Sequence, residues 1–165
     1  MSVREKLRDQ LIVDEGLRFS PYKCTAGKWT IAIGRNIDDK GFTSDELFFL
    51  GIKEKTKEGI LAKLKEKPLS RDDCFYLLEN DIDDVFKQLK KNIPWIEAAP
   101  DEVKIALSNM CFNLGIGRLL EFKKTLAFLK EGKYLEASRE MLRSAWSRQV
   151  GERSTRLSNL IKSIR

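Results

Sequence analysis

The sequence contains no histidine. Imidazole is the base of Ser-His-Asp and Cys-His catalytic sites and a common ligand of zinc, so the sequence excludes those nucleophilic sites and most zinc sites. Carboxylates, thiols, lysines and tyrosines remain for acid–base chemistry. We expect a protein that uses no metal and no other cofactor.

Long apolar runs are also missing, although 42% of the residues are apolar and support a globular core. No stretch approaches the roughly 18 apolar residues that a membrane-spanning helix needs. The sequence therefore predicts neither a signal peptide nor stable membrane insertion. Its three cysteines, Cys24, Cys74 and Cys111, show no CxxC spacing, and an odd number cannot all pair within one chain. A reducing cytoplasm is the expected place of synthesis.

The charge of the chain is positive and uneven. Basic residues number 31 and acidic residues 25, which gives a net charge of +6 at pH 7. The last 27 residues contain two acidic residues and seven basic ones, namely Arg139, Arg143, Arg148, Arg153, Arg156, Lys162 and Arg165. This distribution predicts an anionic polymer as partner. Nucleic acid is not the expected polymer, because the basic residues are not interleaved with aromatics and no helix-turn-helix pattern is present.

One stretch, residues 14–35 (DEGLRFSPYKCTAGKWTIAIGR), combines a carboxylate, a turn and a short strand. Glu15 follows apolar residues at helical spacing, and Pro21 predicts that the helix ends near residues 18–20. Residues 28–34 alternate with period two, which predicts a strand. A hairpin folded against the helix end would bring Glu15 close to two hairpin residues, Cys24 and Thr30, so we interpret the stretch as an active site.

Most of the remaining chain shows helical patterns. Residues 41–43 suggest one more short strand, and residues 53–67 a solvated helix. Ser70 caps a helix of over 20 residues, long enough to join two lobes. Later helices are expected at residues 101–114, 122–132, 134–145 and 154–164. The sequence thus predicts an α+β, mainly α fold in a single domain, residues 1–165. Its small lobe is residues 14–69, its helical lobe residues 70–165 with helix 3–13, and an elongated ligand would lie between them.

These residues resemble the phage-type lysozymes, the family that includes the T-even phage enzymes. The signature of that family is D-E-G-L-R on a helix, an Asp or sometimes a Cys nine residues after the Glu, and six residues further a Thr in a strand T-I-G-I-G. This chain has DEGLR with Glu15, then Cys24, then TIAIG beginning at Thr30. The likeness continues through residues 70–89, 109–115 and 145–156. It implies a lysozyme-like two-lobe fold.

The resemblance also implies an activity, hydrolysis of the β-1,4 bond between N-acetylmuramic acid and N-acetylglucosamine in peptidoglycan. Glu15 would be the general acid, Cys24 would stand where most members have a base carboxylate, and Thr30 would position the attacking water. Arg153, by its place in the motif, would hold Glu15. Four further residues are expected to bind substrate: Gly34, Arg35, Phe112 and Asn113.

Two departures from the family pattern affect the chemistry, since Cys24 replaces an Asp and Arg35 replaces a His that often follows the strand. A thiol with an ordinary pKa of about 8.5 is mostly protonated at neutral pH, so Cys24 is a weak base unless its pKa is lowered. Lys23, Lys28 and Arg35 are close in sequence and would supply the cations. As a thiolate, Cys24 would either attack the sugar directly or activate water.

Two functions follow from the resemblance. The first is a monomeric endolysin, made in the host cytoplasm and released through a separate holin to act on the cell wall in the periplasm. The alternative is a peptidoglycan-binding or regulatory protein on the same fold, weakened in catalysis by the replacement of Asp with Cys.

Overall fold

The computed structural model describes every residue, Met1–Arg165. Three strands, β1 (Arg18–Lys23), β2 (Trp29–Ala32) and β3 (Arg35–Asn36), form one antiparallel sheet in the order β1-β2-β3. The helices are α1 (Val3–Glu15), α2 (Ser44–Leu50), α3 (Lys57–Glu66), α4 (Arg71–Asn92), α5 (Asp101–Leu114), α6 (Ile116–Leu119), α7 (Lys123–Lys130), α8 (Tyr134–Leu142), α9 (Ala145–Val150) and α10 (Glu152–Lys162), with a 3-10 helix at Pro94–Ala98. The predicted α+β, mainly α fold is confirmed. None of the helices combines the length and apolar composition that crossing a bilayer requires.

The chain forms two compact units. The first unit consists of Met1–Gln10 and Ile82–Arg165, and the second of Leu11–Asp81. Both boundaries fall inside helices, α1 and α4, whereas the sequence placed them near helix ends. Caps and prolines mark where a helix begins or stops, but they carry no information on which part of a long helix packs on which core.

The first unit is built around α5. Eight consecutive or near-consecutive residues of this helix are buried, which is typical of a helix at the centre of a helical core. They are Val103, Ile105, Ala106, Leu107, Ser108, Asn109, Met110 and Cys111. Side chains of the later helices close the core around it, among them Leu129, Met141, Trp146 and Leu157.

The predicted ends of the two longest helices are confirmed. The backbone N–H of Asp73 donates to Ser70 Oγ at 3.0 Å and the N–H of Ser70 donates to Asp73 Oδ2 at 2.9 Å, so a reciprocal capping pair opens α4. This helix of 22 residues stops before Pro94. Helix α5 stops at Gly115, whose φ of +83° is a conformation that glycine adopts without strain.

Three local predictions were wrong. Helix α1 ends at Glu15, not at residues 18–20, because Gly16 takes φ +75° and its N–H donates to Ile12 O at 3.0 Å, a left-handed helix end. The third strand is β3 and not residues 41–43, since a two-residue turn with Gly34 at φ +70° returns the chain onto β2. The helix predicted at residues 134–145 ends at Leu142, and residues 145–150 form a separate helix, α9, capped by the Ser144 side chain.

The core of the second unit surrounds one buried cation. The Arg35 side chain is 1% exposed, and its guanidinium donates to both carboxylate oxygens of Glu46, at 2.9 and 2.7 Å. It also donates to Asp81, at 2.9 to 3.2 Å, and to the carbonyl of Gly41 at 3.0 Å. Lys40 bonds to the same Asp81 carboxylate. These bonds connect β3 to α2 and α4.

Glu46 has two functions in this cluster. Its carboxylate accepts from the N–H of Thr43, whose hydroxyl accepts from the N–H of Glu46, so that a capping box opens α2. Burial alone would raise the pKa of Glu46, but hydrogen bonds from Arg35, Asn80 and the Thr43 N–H outweigh it and lower the pKa to about 2. The carboxylate is therefore held ionised inside the unit.

We expect Arg35→Met to lower the free energy of unfolding by about 3–5 kcal/mol, because two buried carboxylates lose their partner. Lys57→Met is the control, since the Lys57 ammonium is half-exposed and water screens its bond to Asp38 at 2.8 Å, so its loss should change stability far less. Urea denaturation of both variants measures the difference. Equal losses would contradict the importance of the cluster.

Urea denaturation at several pH values should show that the wild type loses stability as the pH falls. A carboxyl whose pKa is lowered by folding stabilises the protein above its unfolded value, 4.5 for Glu46, and this contribution is lost as the pH falls towards about 2. The wild type should therefore lose stability more steeply across this window than Arg35→Met.

Candidate active site

A tight turn places Cys24 beside Thr30. The N–H of Cys24 donates to Lys28 O and the N–H of Gly27 donates to Cys24 O, both at 2.9 Å. Gly27 has φ +76°, which suits glycine in such a turn. The ladder pairs Tyr22 with Thr30, so that Cys24, two residues after Tyr22, lies on the same side of the hairpin.

The surroundings of Cys24 favour its thiolate. Hydrogen bonding by the backbone N–H of Lys28 is the largest cause of a lowered thiol pKa. Partial burial opposes it, while the N–H of Ala26 and the hydroxyl of Thr30 add to the lowering. Fixed donors of this kind stabilise a sulfur anion.

The cations expected to act on Cys24 are engaged elsewhere. The Lys28 ammonium bonds to Asp39 at 3.1 Å, and the Lys23 ammonium lies 5.4 Å from the centre of the Trp29 ring. Arg35 is enclosed by carboxylates. Backbone N–H groups therefore provide the stabilisation of the Cys24 thiolate that the sequence analysis expected from nearby cations.

Thr30 is buried at the start of β2, with 5% of its surface exposed. Its hydroxyl donates to Lys28 O at 3.1 Å and also approaches the Cys24 sulfur. The Thr30 hydroxyl can therefore donate its proton either to Lys28 O or to the Cys24 sulfur, and its oxygen can still accept a hydrogen bond from a ligand.

Glu15 is the last residue of α1 and is half-buried. Gly34 lies directly behind it, because a Cβ built on Gly34 would stand 2.9 Å from both Cγ and Oε2 of Glu15. A side chain at Gly34 would push the carboxylate away. The absence of a side chain at Gly34, which was expected to bind substrate, thus leaves the space that the Glu15 side chain occupies.

The structure does not favour substrate binding by Arg35. Its side chain is 1% exposed and all three guanidinium nitrogens donate to protein oxygens, so it offers no surface to a polysaccharide. We assign it a structural role instead. The sequence carried no sign of this burial, since Glu46 and Asp81 are 11 and 46 residues away.

Tyr22 was missed by sequence reasoning. It is half-buried, it stands opposite Thr30 in the ladder, and the Arg18 guanidinium carbon lies 4.9 Å from its ring centre. Its pKa is raised, mainly by burial and then by the charge of Glu15, while the Arg18 cation opposes the shift and the charge of Cys24 adds to it. Period-two placement of Tyr22 and Cys24 on a strand was the signal that could have found it.

The other predicted residues belong to the first unit. Arg153 on α10 is 8% exposed, and its Nε donates to Asn109 Oδ1 at 2.8 Å. Asn113, exposed at the end of α5, accepts a bond of 2.8 Å from Trp146 Nε1, and Phe112 packs on the helical core. That Arg153 holds Glu15 stays a prediction.

The first unit also contains an open groove of about 490 Å³. Trp146 and Phe122 line it with their rings edge to face, 6.2 Å between centres. Its charged lining comprises four cations, Arg118, Lys123, Lys124 and Arg143, and two carboxylates, Glu121 and Glu140. The groove suits a ligand with apolar and anionic parts.

Comparison with known proteins gives consistent matches. Residues 13–162 match the family described as Phage lysozyme. The chain is 30% identical over 161 residues to Probable T4-type lysozyme 1 of Dictyostelium discoideum, covering 95% of this chain and 94% of that protein. It is 29% identical to Probable T4-type lysozyme 2 of the same organism, with the same coverage. It is 26% identical to the pre-baseplate central spike protein Gp5 of Enterobacteria phage T4, over 98% of this chain and 28% of that protein.

Alkylation by iodoacetamide should distinguish the three thiols. Cys24 should react with a pH midpoint below that of an ordinary thiol, because hydrogen bonds stabilise its thiolate. Cys74 and Cys111 serve as internal controls, since burial raises the pKa of each to about 11. Thr30→Val should move the Cys24 midpoint upward. Mass spectrometry of the labelled peptides gives the midpoints, and a Cys24 midpoint at or above the ordinary value would contradict the geometry.

Proposed function

The chain belongs to the phage lysozyme family, and we propose that it cleaves the β-1,4 bond between N-acetylmuramic acid and N-acetylglucosamine in peptidoglycan with Glu15, Cys24 and Thr30. Family membership makes it a glycoside hydrolase of the muramidase type. The observation that best supports these residues is their arrangement. The turn and ladder of one hairpin hold Cys24 and Thr30 together, and Gly34, in the turn that follows β2, leaves room for the Glu15 side chain beside it.

Glu15 is proposed as the proton donor. Glycoside cleavage requires a proton at the leaving oxygen, because an alkoxide leaves poorly from the sugar. A half-buried carboxyl at a helix end can reach a ligand, and Gly34 leaves room for it beside the sheet. Acid catalysis of this kind contributes about 10²- to 10⁴-fold to a rate.

Cys24 is proposed to act on the face of the sugar opposite the leaving oxygen, either as the nucleophile or as the base that activates water. In the first, the thiolate forms a C–S bond to the anomeric carbon as the C–O bond breaks, the leaving oxygen takes the Glu15 proton, and water later hydrolyses the thioglycoside with retention. In the second, the thiolate accepts a proton from water held by Thr30, and this water attacks with inversion. The hydrogen bonds around Cys24 support both routes, since each starts from a thiolate.

The chain is further proposed to act as a monomeric endolysin. It would be made in the host cytoplasm and reach the wall through a separate holin. The excess of basic residues near the end of the chain and the cationic groove support attraction to an anionic wall. The alternative, a peptidoglycan-binding or regulatory protein without hydrolysis, is not favoured, because the two relatives that match over almost their full length are named lysozymes.

Glu15→Gln tests the proposed activity. We expect a loss of about 10²- to 10⁴-fold in reducing sugar released from purified peptidoglycan, because the amide carries no acidic proton. Glu131→Gln, at an exposed carboxylate, is the matched control and should match the wild type. Mass spectrometry of the soluble fragments identifies the bond cleaved. Equal release by wild type and Glu15→Gln would exclude Glu15 as the acid, and fragments without new reducing ends would exclude a muramidase.

Replacement of Cys24 tests the second role. Cys24→Asp should retain activity, because a carboxylate is ionised at neutral pH, whereas Cys24→Ser should lose about 10²-fold or more, because a hydroxyl is not. Full activity of Cys24→Ser would make the thiol a bystander.

The anomeric configuration of the first wild-type product, read by NMR, then separates the two routes. Retention is expected from attack by sulfur, and inversion from attack by water.

A further inference from the structure

We propose that Tyr22 belongs to the active site and that its phenol hydroxyl donates a hydrogen bond to the saccharide held between Glu15, Cys24 and Thr30. This inference rests on the function proposed above. Neither the family signature nor the sequence analysis assigns Tyr22 a role.

The register of the hairpin places Tyr22 on the reacting face. Residues directly opposite in an antiparallel pair lie on the same side with Cβ atoms about 5 Å apart. Tyr22 is opposite Thr30, and the N–H of Cys24 continues the ladder at Lys28, so Tyr22, Cys24 and Thr30 lie on one side. A phenol is longer than either neighbour, so its hydroxyl has the length to contact a ligand on this side of the hairpin.

The surroundings of Tyr22 favour its neutral form. Partial burial and then the charge of Glu15 raise the pKa of the phenol, and the Arg18 cation opposes them while the charge of Cys24 adds a smaller increase. The phenol therefore stays a neutral donor at the pH where the enzyme works.

The ring is held while the hydroxyl is available. The Arg18 guanidinium lies over the ring face, 4.9 Å from its centre, which fixes the ring without using the hydroxyl. No hydrogen bond joins the hydroxyl to another group of the protein. A sugar presents many hydroxyl and acetamido oxygens, and a phenol offers them a proton without adding a charge beside Glu15.

Tyr22→Phe removes only the hydroxyl and keeps the ring on Arg18. We expect kcat/KM for release of reducing ends from purified peptidoglycan to fall about 10- to 100-fold, the usual effect of losing one hydrogen bond to a ligand. Tyr76→Phe is the matched control in the same unit, because Tyr76 stacks on Phe49 with ring centres 3.8 Å apart, and it should stay within about twofold of the wild type.

Two readouts separate contact with substrate from other roles. The melting temperature and the pH midpoint of Cys24 alkylation should both be unchanged in Tyr22→Phe. A shifted midpoint would overturn the proposal, because Tyr22 would then act through the thiol. A lowered melting temperature that accounts for the lost activity would also overturn it, in favour of a structural role.

The outcomes for the inference and for the function are distinct. An active wild type with Tyr22→Phe within about twofold of it would overturn the inference alone. A wild type that releases no reducing ends would overturn the proposed function and this inference with it. A 10- to 100-fold loss with unchanged stability and thiol reactivity would support both.

Discussion

The buried guanidinium of Arg35 is the constraint on which the second unit depends. It binds Glu46, Asp81 and the carbonyl of Gly41, and thereby joins the shortest strand to two helices that follow it in the chain. Its neighbour in sequence is Gly34, the residue against which the Glu15 carboxylate rests. The ion cluster thus anchors the residue that directly follows the glycine packed against Glu15.

Two glycines make this arrangement possible, each for a different reason. Gly16, at φ +75°, stops α1 immediately after Glu15, so the acid stands at a helix end and not on a continuing helix face. Gly34 must combine φ +70° with a close approach to Glu15, and no other residue satisfies both conditions without strain. In this chain, both glycines are therefore geometric requirements of the carboxylate beside them.

The sequence predicted correctly those features that are formed by residues close together in the chain, namely helix caps, helix ends and turns. The capping pair at Ser70, the stop at Gly115 and the turn before β2 are formed by residues a few positions apart. Glu15, Cys24 and Thr30 were candidates from the hairpin pattern together with the family resemblance, and their roles stay predictions. Features that depend on distant partners were missed or wrong. The burial of Arg35 requires Asp81, 46 residues away, and the place of Tyr22 depends on its register against Thr30. Nearness in sequence also suggested cations for Cys24 that the structure directs elsewhere.

The turn around Cys24 explains how this position can carry a thiol. A carboxylate is ionised at neutral pH without assistance, whereas a thiol needs its anion stabilised. The N–H groups of Lys28 and Ala26 supply that stabilisation from the backbone, whatever side chain stands at the position. The same donors would serve a carboxylate. The hairpin therefore offers backbone donors that favour an anion at this position, whether the anion is a thiolate or a carboxylate.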